Sequence, residues 1–167
     1  MRLPRGLIVA TILLVAIVVQ TTLFGQIHTV VPDLVMLVVM MLALTRMRPE
    51  LVLGVAFQSG LVVDLLGSSL VGLRAVVFTA VAYFALRTRS RAEIGRYATV
   101  IWAGLLTFVG MVLMVLIGTL FGQTTLIGPD IGSRLTLVPL ANMVLAGLVS
   151  PLFIRLVDRD TGLFRFT

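Results

Sequence analysis

Charged residues divide this chain into apolar runs. No Asp, Glu, Lys or Arg occurs in 6–32, 34–45, 51–63, 75–86, 97–129 or 135–154. Six such runs predict an all-α polytopic membrane protein: one transmembrane domain over 1–167, with helices near 7–24, 30–45, 50–66, 70–86, 97–121 and 135–157. A hydrocarbon core of about 30 Å takes roughly 17–25 helical residues, so spans two to four, at about 16–17 each, are expected to be shallow or to end inside protein. The run 97–129 is too short for two spans of about 20 residues and reads as one span plus an apolar outer loop holding Gly122, Gly128 and Pro129.

Arginine placement tests the count, because basic residues are retained on the cytoplasmic side of short loops. With the N-terminus inside and the spans alternating, 11 of the 13 basic residues fall on the cytoplasmic side, and only Arg74 and Arg134 fall outside. An odd number of spans would part the Arg-bearing tail from the Arg-bearing start. The pattern therefore predicts a multi-pass membrane protein with both ends in the cytoplasm. The first span is read as retained: its apolar run reaches Phe24, and Val19-Gln20-Thr21-Thr22 lacks the small-x-small exit of a cleaved leader.

Composition agrees and excludes several chemistries. Hydrophobic residues make up 59% of the chain and charged ones 12%, against about 45–50% and about 25% in soluble domains. The net charge of +6 is not a nucleic-acid signature, because the arginines cluster between apolar runs rather than along a solvated face. With no Cys and one His, His28, disulfides, thiolate catalysis and multi-histidine metal sites are excluded. The Arg87–Arg96 segment is a topology signal first and an anionic-lipid or partner contact second.

Polar residues within the apolar runs are the informative ones, since a charge at membrane depth needs a partner, an interface or a role. Asp64 lies toward the outer side of span three, and Arg74 begins span four across the turn at Gly67-Ser68-Ser69. They form a candidate pair, either structural or a ligand or proton site; in a scaffold they would instead fix the orientation of a partner groove. Pro32-Asp33 reads as a helix start, with proline at the first position and a carboxylate at the positive end of the dipole; Pro49-Glu50 repeats the device. Gln20, Thr21 and Thr22 are expected to be satisfied at the outer interface. Asn142, Ala146 and Ser150 recur every four residues, and with Gly54 and Gly60 they form the candidate helix-packing face. Pro139 and Pro151 are expected to kink span six.

An intramembrane serine protease reading would need Ser59 and His28 as nucleophile and base, but Ser59 falls mid-helix and His28 in the outer loop. No paired carboxylates, phosphate loop or metal spacing occurs.

Pro32-Asp33-Leu34, the stretch Gly54–Gly67 containing Gly60-Leu61-Val62-Val63-Asp64, and the following Leu70-Val71-Gly72-Leu73-Arg74-Ala75 resemble the MreD family of rod shape-determining membrane proteins. The likeness runs over nearly the whole chain, with a spacing of six rather than four from Gly54 to Gly60. The resemblance implies a non-enzymatic scaffold without cofactor that binds a single-span MreC-like protein and, through it, MreB, RodA and a class B transpeptidase. It also implies a bundle related to the S-components of energy-coupling-factor vitamin transporters, which supplies the alternative function, a small-molecule-binding transporter subunit. The alanine-x-x-x-alanine docking motif of S-components is missing: Ala10 is followed by Leu14 and Ala16 by Gln20.

Overall fold

A computed structural model describes residues 5–22, 32–45, 47–67, 70–92, 96–123, 128 and 131–158. Those residues form six α-helices and no strand: α1 (Arg5–Thr22), α2 (Leu34–Ala43), α3 (Pro49–Leu66), α4 (Leu73–Ala92), α5 (Arg96–Leu120) and α6 (Ile131–Asp158). By length and composition, Pro49–Leu66, Tyr97–Leu120 and Ile131–Val157 are each sufficient to cross a membrane.

The bundle is built around α2. Its ten residues are apolar throughout, and Val35–Ala43 are all buried, the expected state of a helix with no polar face. It touches each of the other five helices. At 1.5 Å per residue it is about 15 Å long, half of an approximately 30 Å hydrocarbon layer. The span expected over 30–45 is thus a short internal helix over its described part, and its length is tolerable because neighbouring protein surrounds it. Phe78 of α4 and Met36, Met40 and Met41 of α2 are the largest side chains at the centre.

Two helices exceed their expected bounds. Helix α4 continues past residue 86 to Ala92, through Arg87, Arg89 and Arg91, because arginine is a good helix former and needs no apolar surroundings at a membrane edge. Helix α6 begins at Ile131 and includes both Pro139 and Pro151 as one continuous element. Glycine admits close approach between helices: a Cβ on Gly110 of α5 would lie 2.7 Å from Met36 Cε and 2.8 Å from Val81 Cγ2. Outward positions such as Leu14, Leu105, Val144 and Leu148 are large, apolar and exposed, the surface that hydrocarbon solvent favours.

Candidate functional site

Three features bring the polar residues together. The first is the α3–α4 hairpin. Asp64 is fully buried, and its Oδ2 accepts hydrogen bonds from the backbone N–H groups of Gly72 (3.0 Å), Arg74 (2.9 Å) and Ala75 (3.4 Å). These are donors at the start of α4, which have no partner within their own helix. A carboxylate there also meets the positive end of the α4 dipole. Arg74 contributes less: its Nε stands 3.8 Å from Asp64 Oδ1, beyond hydrogen-bond length. One turn before Asp64, a Cβ on Gly60 would fall 2.6 Å from Ala75 Cα, Ala75 N and Arg74 O. Only a residue without a side chain lets the two backbones come this close, and that approach delivers the carboxylate to the amides.

The second feature is a polar cluster at the start of α2. Asp33 caps the helix, its Oδ1 accepting from Met36 N at 3.0 Å and from Gln20 Nε2 at 3.3 Å. Gln20 Oε1 in turn accepts from Val35 N at 3.1 Å. From α6, the buried Asn142 donates through Nδ2 to the Asp33 carbonyl (3.3 Å) and to Thr107 Oγ1 of α5 (3.1 Å). Thr107 Oγ1 donates onward to Ala103 O. Four helices are thereby tied at one point. Ala146 and Ser150 follow Asn142 on the buried side of α6.

The third feature is a groove of about 1040 Å³ between α1 and α3. Gly6 and Ala10 lie on its α1 wall, and Arg48, Leu51, Gln58 and Ser59 on its α3 wall. Neither Asp64 nor Arg74 lines it. The hairpin turns Asp64 inward onto the α4 amides, the structural side of the two readings of the pair. Gly54 is exposed, and a Cβ there meets nothing within 4 Å among the described residues. Ser59 donates its hydroxyl to Ala56 O, while His28 lies outside the described residues. Among the described residues no group of three or more His, Cys, Asp or Glu gathers as a metal site.

The match that decides the family covers residues 2–159: it is to the model of the rod shape-determining protein MreD. The chain belongs to the MreD family. It is therefore a rod shape-determining membrane protein of a family defined by cell shape, and its apolar helices fit that setting. Comparison with curated proteins and with solved structures gave no match.

Thr107 is the residue of the polar cluster at the start of α2 that the sequence did not single out. The expectation that Gln20 is satisfied at the outer interface is replaced by its bonds to the α2 start. An amide in an apolar run is the signal at Gln20. Thr107 carried none, since threonine in a membrane helix ordinarily bonds its own preceding turn.

Proposed function

We propose that this chain is a non-enzymatic scaffold of the bacterial elongasome. It controls cell shape and peptidoglycan elongation by holding a single-span, MreC-like partner in the cytoplasmic membrane, with MreB, RodA and a class B transpeptidase reached indirectly. Family membership over residues 2–159 carries the reading. The arrangement of the polar groups supports it: Asp64, Asp33 and Asn142 are engaged in holding helices together, and Ser59 is bonded to its own helix. A role exercised through contacts suits such a molecule better than one exercised through chemistry. In this reading both ends lie inside, which the arginine distribution supports, and the bundle is of S-component type.

Depletion of the protein followed by measurement of cell outline tests the role. Widening or rounding of cells, with a single-span membrane protein co-isolating in mild detergent, is expected. A nutrient requirement with unchanged outline, and a retained small molecule on the purified protein, would instead establish the transporter-subunit function.

A further inference from the structure

The α1–α3 groove contains a group that hydrocarbon cannot satisfy. Residues of α1 and α3, with Met47 and Arg48 before α3, line the cavity of about 1040 Å³. On its α3 wall Gln58 is exposed and makes no hydrogen bond to any described residue. Gln58 is the tenth residue of α3, so it stands about 14 Å along an 18-residue helix of about 27 Å. That is mid-depth in a layer of about 30 Å. A primary amide there presents two donors and an acceptor to a solvent that offers neither.

We propose that this groove seats one transmembrane helix of a partner, and that Gln58 meets a hydrogen-bonding side chain of that helix near the bilayer midplane. The assignment rests on the scaffold reading above and names the chemistry of the partner. A lipid is the other occupant an apolar groove invites, and Gln58 decides between them. Acyl chains carry no donor or acceptor. A headgroup would reach Arg48 at the rim, but Arg48 lies ten residues, about 15 Å, from Gln58 along the helix. Small residues on the opposite wall favour a helix too: Gly6 and Ala10 are one turn apart on α1, both exposed, and a Cβ on Gly6 meets nothing within 4 Å. Such small-xxx-small pairs let a second backbone approach closely.

The test uses the full chain in phospholipid vesicles and two synthetic single-span Leu/Ala peptides, one with Asn at its centre and one with Leu, with association read by energy transfer. The Asn peptide is expected to bind about three- to tenfold more tightly than the Leu peptide. Gln58→Leu should abolish that preference and Gln58→Asn should retain it. Both changes are at an exposed position, so neither disturbs the core. Because the chain has no cysteine, Gln58→Cys supplies a unique thiol that should cross-link to a peptide bearing a central Cys, whereas Leu148→Cys on the exposed face of α6 should not. Equal binding of the two peptides overturns the assignment, as does a preference that survives Gln58→Leu. Failure of Gln58→Cys to cross-link the central-Cys peptide in the phospholipid vesicles does so in favour of a lipid site. If a single-span partner co-isolates unaffected by Gln58→Leu, the groove assignment fails while the scaffold stands. If the peptides behave as expected and depletion leaves cell outline unchanged, the groove stands and the scaffold fails.

Discussion

The Cα of Ala75 stands 2.6 Å from where a Cβ on Gly60 would lie. Real Cβ atoms do not tolerate that separation from backbone, so even one methyl group must push α4 away from α3. Gly60→Ala is therefore expected to destabilise the fold by about 1–3 kcal/mol, the usual cost of overpacking. Gly54, six residues earlier on the same helix, meets nothing within 4 Å. Gly54→Ala should leave stability unchanged or raise it by up to about 1 kcal/mol through helix propensity. Apparent melting in detergent, followed by loss of monodispersity, compares the two. Equal behaviour of the variants would contradict the close approach.

The same approach sets the rank of substitutions at the hairpin. Asp64→Leu leaves the buried and partly buried amides at the start of α4 without that acceptor, at up to about 1–3 kcal/mol for each unsatisfied group. Asp64→Asn keeps an acceptor oxygen but loses the charge facing the helix dipole, and should cost less. Arg74→Gln should cost least, because its Nε is 3.8 Å from the carboxylate, beyond hydrogen-bond length, and the three backbone amides still hold that carboxylate when the guanidinium is gone. The expected order of thermal stability is wild type, Arg74→Gln, Asp64→Asn, Asp64→Leu. Finding Arg74→Gln as damaging as Asp64→Leu would make the ion pair, not the amide cradle, the principal contact.

Much of this was legible beforehand, for definite reasons. Charges excluded from hydrocarbon mark helix ends, so six helices could be counted from gaps between arginines and carboxylates. Asp33 was readable as a helix start because capping is local. Gly60 and Gly54 looked alike, since nothing in an apolar sequence says which side of a helix meets another backbone. The brevity of α2 was hidden for a similar reason: residues 34–45 are uniformly apolar but for Thr45 at the end, and a uniform run carries no phase to distinguish a helix facing lipid from one enclosed by protein. Asp64 was noticed as a charge needing a partner, and the obvious partner was a cation. Its main partners are backbone amides, which sequence does not advertise.

Asn142 and Thr107 provide a coupling measurement. Their 3.1 Å hydrogen bond joins α5 to α6, and Asn142 also holds the carbonyl of Asp33 at 3.3 Å. Thr107→Val should cost about 1 kcal/mol, and Asn142→Leu more, because it removes the second bond to the Asp33 carbonyl as well. The double variant should fall short of the sum by about 0.5 kcal/mol or more, as residues sharing a hydrogen bond do. Strict additivity in a double-mutant cycle would remove the network.

Orientation is testable with single cysteines, because the native chain supplies none to confuse the labelling. Arg48 precedes α3, while Arg87 and Arg89 lie in the last turns of α4; antiparallel neighbours bring those positions to one face of the membrane. Retention of arginine on the cytoplasmic side predicts that this face is the inner one and that Gly128, between α5 and α6, is outside. In intact cells a membrane-impermeant maleimide should label Gly128→Cys and leave Arg89→Cys untouched until the membrane is permeabilised. The reverse pattern would place both ends of the chain outside and would remove the arginine argument for the count and direction of every helix.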